Sequence, residues 1–191
     1  MARVRSLGNS ALLERAKVAL LCSVKCPGSA ILRTYDLMRD VRNEKVIVIS
    51  GFHSPMEQEC LTILLRGTCG IILCPARGLP ARIRTEFRKP IDDGRMLVLS
   101  AFDDKLRRAT IQSSAVRNRF VAQLADAVFV PYASPGGSTE TLCAEIVRSG
   151  KLLYTFAGEY NGNLIGIGAV PLEHDSALTA LCDNAAALQG F

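Results

Sequence analysis

The chain has 191 residues, of which 49% are hydrophobic and 6% aromatic, with no Trp and a formal net charge of +5. This length fits one domain around one core, and a core poor in aromatics but rich in Ala, Leu, Ile and Val suits a parallel sheet wrapped by helices better than a β-sandwich. No apolar stretch approaches the ~20 residues of a membrane span, no basic-apolar-small opening segment is seen, so no signal peptide is expected, and an odd count of seven cysteines argues against a secreted disulfide framework.

Short apolar runs alternate with helical patterns along the chain. The first strand is expected over Lys17–Cys22 (KVALLC). The turn after it, Ser23-Val24-Lys25-Cys26-Pro27-Gly28-Ser29, is small and polar. It opens a helix over Ala30–Val41 whose Ile31, Tyr35, Leu37, Met38 and Val41 share one stripe. Backbone N–H groups at such a helix start can hold a phosphate, with Ser23 and Lys25 as candidate contacts. The turn is not a GxGxxG and no acidic residue closes the second strand, which argues against a dinucleotide dehydrogenase.

The second strand, Lys45–Ser50 (KVIVIS), leads into Ser50-Gly51-Phe52-His53-Ser54-Pro55-Met56-Glu57. Ser54 as N-cap, Pro55 at the first helical position and Glu57 after it spell a capping box for a helix over Pro55–Leu65. Ser50, Gly51 and His53 are candidates for a phosphate site; the alternative for His53 is a turn histidine with no duty. The third strand is expected over Cys69–Cys74 (CGIILC) and the fourth over Met96–Ser100 (MLVLS). The connection Ala76–Arg95 is rich in Pro and Arg and is expected to be the most irregular part.

A helix over Val116–Ala125 is apolar at Val116, Phe120, Val121 and Leu124. That pattern puts Arg117 off the buried stripe, with Asn118 and Arg119 flanking it, and all three are candidate phosphate contacts. The fifth strand, Ala127–Tyr132 (AVFVPY), runs into Ala133-Ser134-Pro135-Gly136-Gly137-Ser138-Thr139-Glu140-Thr141. Two glycines and several hydroxyls at a helix start make Gly136, Gly137, Ser138 and Thr139 the strongest anion-binding candidates, a plain capped turn being the alternative. A helix over Thr139–Val147, a sixth strand over Leu152–Phe156 (LLYTF) and a short C-terminal helical tail within 171–191 complete the chain. Strands this short and apolar on both faces point to an α/β fold: a single Rossmann-like, doubly wound, mainly parallel sheet with helices on both faces.

Basic residues crowd into Arg77–Lys89 and Arg107–Arg119, and the tail Glu173–Asp183 is acidic. Such a balance permits binding to phosphate backbones without requiring it. Cys22, Cys69, Cys74 and Cys143 lie in or beside apolar runs and read as small buried hydrophobes. The cysteine spacings are not those of a zinc ribbon, and neither a metal, a cofactor nor a catalytic residue is expected.

The order of these pieces resembles a known family. The first strand with its small polar turn comes first, then Val48-Ile49-Ser50-Gly51. Arg117-Asn118-Arg119-Phe120 follows, leading through Leu124-Ala125-Asp126-Ala127-Val128 into the Gly/Ser/Thr loop. Gly162-Asn163-Leu164-Ile165 and Gly168-Ala169 close the series. This looks like the Rossmann-like domain of the DprA/Smf DNA-processing proteins over roughly residues 7–170, with Gly8-Asn9 and Leu12-Leu13 resembling the lead-in. The resemblance implies a cytoplasmic protein that binds single-stranded DNA, works as a homodimer and has a recombinase as partner.

Departures from the family pattern are local. The family's first turn carries Gly-Ser-Arg where this chain has Cys22-Ser23-Val24. Its second turn reads Ser-Gly-x-Ala-x-Gly-Ile-Asp, where this chain places Glu57 in the acidic slot and lacks the second Gly. The alternative within the wider superfamily is a nucleotide sensor, or a nucleotide phosphoribohydrolase like the "lonely guy" proteins. Their motif is Pro-Gly-Gly-x-Gly-Thr-x-x-Glu. Here Pro135-Gly136-Gly137-Ser138-Thr139 starts alike, but the glutamate slot falls on Leu142.

Overall fold

The computed structural model describes residues 4–187. All six expected strands form, each shortened at one or both ends except the fourth and sixth. They are β2 (Lys17–Leu20), β3 (Ile47–Ser50), β4 (Gly70–Leu73), β5 (Met96–Ser100), β6 (Ala127–Phe129) and β7 (Leu152–Phe156). Two edge strands extend them: β1 (Arg5–Gly8), antiparallel to β5, and β8 (Val170–Leu172), parallel to β7. The eight strands form one sheet in the order β1-β5-β4-β3-β2-β6-β7-β8. Both added strands are short and largely exposed, and β8 carries Pro171, which only an edge tolerates. Neither shows the two-faced apolar pattern of a central strand.

The helices are α1 (Gly28–Val41), α2 (Pro55–Leu65), α3 (Thr85–Asp92), α4 (Ile111–Leu124), α5 (Ser138–Arg148), α6 (Gly162–Gly166) and α7 (His174–Ala187). The capping box at the start of α2 is present as expected: Ser54 accepts from the Glu57 N–H, and Glu57 accepts from the Ser54 N–H. Two expectations need correction. The 76–95 connection is not irregular throughout but contains α3, with Pro90 inside it. Helix α4 begins at Ile111 rather than Val116, because Thr110 and Ser113 form a capping box of their own. The expected C-terminal helix is α7; residues 188–191 lie outside the described residues.

Alternate residues of the parallel strands feed two cores. Val18, Leu20, Val48, Ile71, Val98, Phe129 and Phe156 pack beneath α1, α2, α3 and α7. Ala19, Leu21, Ile49, Ile72, Leu99, Val128 and Leu153 pack beneath α4, α5 and α6. This is the doubly wound arrangement. The strand order reverses between β2 and β6: the chain builds outward from β2 to β5, then returns through α4 to lay β6 on the other side of β2. In such sheets the crevice at that reversal is where ligands bind.

At the far, amino-terminal end of the sheet, Asp126 fixes the register of β2 against β6. Its carboxylate accepts from the Lys17 N–H at 2.7 Å and pairs with Lys17 Nζ at 3.3 Å. The Leu-Ala-Asp-Ala run is therefore scaffold rather than site.

Phe129 and Phe156 meet edge to face across β6 and β7, with ring centroids 5.0 Å apart, and the Arg33 guanidinium lies 4.3 Å from the Phe156 centroid. Phe129→Ala should cost about 3–5 kcal/mol in urea unfolding, as expected for a large buried aromatic. A loss below about 1 kcal/mol would contradict this packing.

Candidate nucleic-acid interface

The loops after β2, β3 and β6 and the first turns of α4 enclose a cleft of about 870 Å³ at the strand-order reversal. The β2–α1 and β6–α5 loops are tied together: Ser23 N–H donates to the Tyr132 carbonyl at 3.1 Å, and Ser134 N–H donates to Ser23 Oγ at 3.0 Å. Glu57, buried at the base, accepts from three backbone amides, those of Cys22 (3.1 Å), His53 (2.8 Å) and Ser54 (3.0 Å). One carboxylate thus locks the ends of two loops to the start of α2. Its lone pairs are spent on this task, so the residue in the family's acidic slot is a girder of the cleft.

The β3 turn is the strained element. Phe52 has φ 45°, the one non-glycine residue with positive φ among the described residues. Its N–H donates to Ser50 Oγ at 3.1 Å, and its ring is buried. Strain of this kind persists where the surroundings over-determine it, and it clusters at sites. Here it follows from Gly51. A Cβ on Gly51 would stand 1.2 Å from Arg117 Nη1, so the Arg117 guanidinium occupies the space that any other residue would fill.

Arg117 departs from the sequence expectation. It is 4% exposed, not off the buried stripe. The buried stripe at the start of α4 is Ser113, Arg117 and Val121, one turn apart, while Val116 is 47% exposed. The polar half of that stripe lies over the cleft rather than the sheet: Ser113 Oγ donates to the Ala76 carbonyl at 2.8 Å, and Arg117 Nη1 donates to the Cys74 carbonyl at 3.3 Å. Arg117 Nε is buried with no partner. Burial pushes the Arg117 guanidinium below its ordinary pKa, and the charge of Glu57 works in the opposite direction.

Ser23, Lys25, His53, Arg117, Asn118, Arg119, Gly137, Ser138 and Thr139 all line this cleft. Three expected residues do not, and all are corrections: Gly51, whose Cα is covered by the Arg117 guanidinium, Ser50 and Gly136. Ser50 is fully buried, with its hydroxyl turned to the Phe52 amide. Gly136, at φ +71°, gives its N–H to Glu140 Oε2 at 2.7 Å. Asn163 donates to the other oxygen of Glu140 and to the Ala133 carbonyl. These bonds hold the Glu140 carboxyl below the usual carboxylate range, the Asn163 bond most of all. The Gly/Ser/Thr loop therefore carries its own carboxylate on the Gly136 amide. Beyond it, α5 starts at Ser138 with no side-chain cap on its first turn. Arg119 is half exposed and held bidentately by Glu145, with both contacts at 2.8 Å. Val24 and Ile111 were not expected at the site; they stand on the cleft wall 68% and 93% exposed.

Cys22 lies at the cleft close to Cys26; Cys22 Sγ donates to the Tyr132 carbonyl at 3.5 Å and Cys26 Sγ to the Pro27 carbonyl at 3.7 Å, and the interaction of the two thiols pushes the Cys26 pKa down and that of Cys22 up. Burial pushes Cys60 up and Cys69, Cys74 and Cys143 up to about 12. Iodoacetamide at neutral pH should therefore label Cys26 first, with Cys60, Cys69, Cys74 and Cys143 last, because the thiolate is the nucleophile. Equal rates at Cys26 and the buried four, read by peptide mass mapping over time, would contradict the arrangement.

No protein-family model matches the sequence, and no curated protein matches it. Solved structures do match its shape. DNA processing protein A from Helicobacter pylori, known for its single-stranded DNA binding mode, aligns with TM-score 0.76 and 19% identity over 95% of this chain and 87% of that one. DNA processing protein A (DprA) from Streptococcus pneumoniae aligns with TM-score 0.74 and 19% identity over 92% of this chain, which spans only 65% of that protein. The molybdenum cofactor carrier protein from Chlamydomonas reinhardtii is more distant, at TM-score 0.60 and 13% identity over 90% of this chain and 99% of that one. The chain therefore has the Rossmann-like fold of the DprA proteins, the family that its motifs resemble.

Proposed function

We propose that this protein binds single-stranded nucleic acid, DNA before RNA, with a backbone phosphate received by Arg117 at the strand-order reversal. The observation that carries the proposal is the state of Arg117: a cation 4% exposed, one hydrogen bond of 3.3 Å, and a buried Nε without a partner, on the wall of an open cleft. A buried charge left short of partners costs several kcal/mol, and a phosphate oxygen is the partner its planar fork suits best. Lys25, Arg119 and the uncapped first turn of α5 surround the same cleft with further donors. Exposed Val24 and Ile111 supply apolar surface for bases in a site whose wall carries no Phe, Tyr or Trp. The fold shared with the single-stranded DNA binder from Helicobacter pylori supports the polynucleotide reading. A role in DNA processing, with a recombinase as partner and a homodimer as the working unit, extends this proposal.

A phosphoribohydrolase finds less support. Glycosidic cleavage needs a carboxylate free to meet the sugar. Glu57 is saturated by three amides, and Glu140 is held by Asn163 and Gly136. A mononucleotide ligand remains the second reading, because the cleft volume of about 870 Å³ falls in the range of small-ligand sites.

Arg117→Met separates binding from stability. Arg117→Met keeps the side-chain length but takes the guanidinium away from the buried Glu57, which three amides hold, so melting is measured beside binding and only a folded variant is compared with the parent. Its affinity for an oligothymidylate, measured by fluorescence anisotropy at low and moderate salt, should fall at least about tenfold, with a flatter salt dependence. A folded Arg117→Met protein that binds the strand like the parent would refute the proposal. Loss of mononucleotide binding with no strand binding in the parent would favour the second reading.

A further inference from the structure

A second cleft, of about 890 Å³, opens on the other side of Arg117. Helix α2, the β4–α3 connection and the start of α3 enclose it. It shares His53, Ala109 and Arg117 with the first cleft, so the two lie side by side with Arg117 between them. The second cleft is lined by Arg66, Arg77, Arg82 and Arg84 against a single acid, Glu86, which is already 3.4 Å from Arg84. The exposed guanidiniums of Arg66, Arg77 and Arg82 make no hydrogen bond or ion pair among the described residues. Between them, half-buried Leu65, Leu73 and Ile83 form an apolar wall.

This combination is specific in its chemistry. Free guanidiniums collected around a concave apolar wall fit a ligand that alternates phosphates with flat apolar groups. An isolated anion would not need the wall, and an apolar ligand would not need the cations. The shared buried cation lies between the clefts, so a strand occupying both would run past Arg117.

We infer that the second cleft is a subsite for the same strand. A single strand seated in the first cleft runs past Arg117 beside His53, and its next phosphates settle on Arg77 and Arg82. This assignment rests on the single-strand reading above, and it adds a path, a direction across the sheet and a minimum length. It gives a purpose to the basic segment 77–84, which the first cleft does not use.

The test compares oligothymidylates of about 4 and about 12 nucleotides, lengths that bracket one and two subsites. The protein is the parent and the double variant Arg77→Gln/Arg82→Gln. Both side chains are exposed and without partners, so the variant should melt like the parent. In the parent, the long strand should bind at least tenfold tighter than the short one. The double variant should lose most of that advantage, with the long-strand salt slope flattened by about 1.4, two contacts at the single-strand value. Short-strand binding should stay within twofold of the parent. If the long strand binds the double variant as tightly as the parent, the second subsite is wrong while the first cleft stands. If neither strand binds the parent, the single-strand reading fails, and the subsite falls with it.

Discussion

The Arg117 guanidinium rests on the bare Cα of Gly51, in space where a Cβ would stand 1.2 Å from Nη1. Much of the site follows from that contact. It demands glycine at the end of β3, and the next residue, Phe52, turns through φ 45° to carry the chain away. The turn delivers His53 to the wall shared by the two clefts and Ser54 to the cap of α2. Capping brings Glu57 under the loops, where it gathers the amides of Cys22, His53 and Ser54 and supplies the nearby negative charge that the buried guanidinium needs. A cation placed by the return helix α4 and an anion placed by α2 thus meet the loops of β2, β3 and β6 at the one point where the sheet reverses its order.

Carboxylates near this point are already engaged. Glu57 holds backbone, Glu140 holds the Gly136 amide and Asn163, and Glu145 holds Arg119. The arginines divide into two kinds. Arg119 is engaged at the surface, whereas Arg117, Arg77 and Arg82 retain unused donors. Among exposed groups such ion pairs are exchangeable, and a phosphate can compete for Arg119. For Arg117 the balance is different, because a buried guanidinium with one hydrogen bond of 3.3 Å is left short of partners.

The two-faced apolar strands were legible because a strand covered by helices on both sides is apolar on both faces, and each of the six runs is mostly apolar, with polar residues at its ends or, for Thr155, hydrogen-bonded to the Val130 carbonyl. The edge strands 5–8 and 170–172 were not, since an edge need bury only part of one face. The cap of α2 could be read directly, because Ser54, Pro55 and Glu57 are a local device that needs no tertiary partner. The burial of Arg117 could not. Helical periodicity ranks stripes by apolar content, and the stripe Ser113-Arg117-Val121 is polar where it crosses the cleft. Ser50 and Gly136 were placed at the site by their position in turns, but a turn also has its own hydrogen bonds to satisfy, and both residues serve those instead. The Asp126 and Asn163 motifs that carry much of the family resemblance proved to be scaffold: one pins β2 to β6, the other braces the β6–α5 loop.

The central claim is the proposed one, that Arg117 receives a backbone phosphate at the strand-order reversal. The most direct measurement is the ¹H–¹⁵N side-chain spectrum of arginine Nε groups during titration with an oligothymidylate. A buried Nε–H without a partner should give a resolved Arg117 resonance, assigned by its absence in Arg117→Met. That resonance should shift progressively and saturate with the strand, and high salt should reverse the change. An Arg117 resonance unmoved at strand saturation would contradict the claim and place the ligand elsewhere on the molecule.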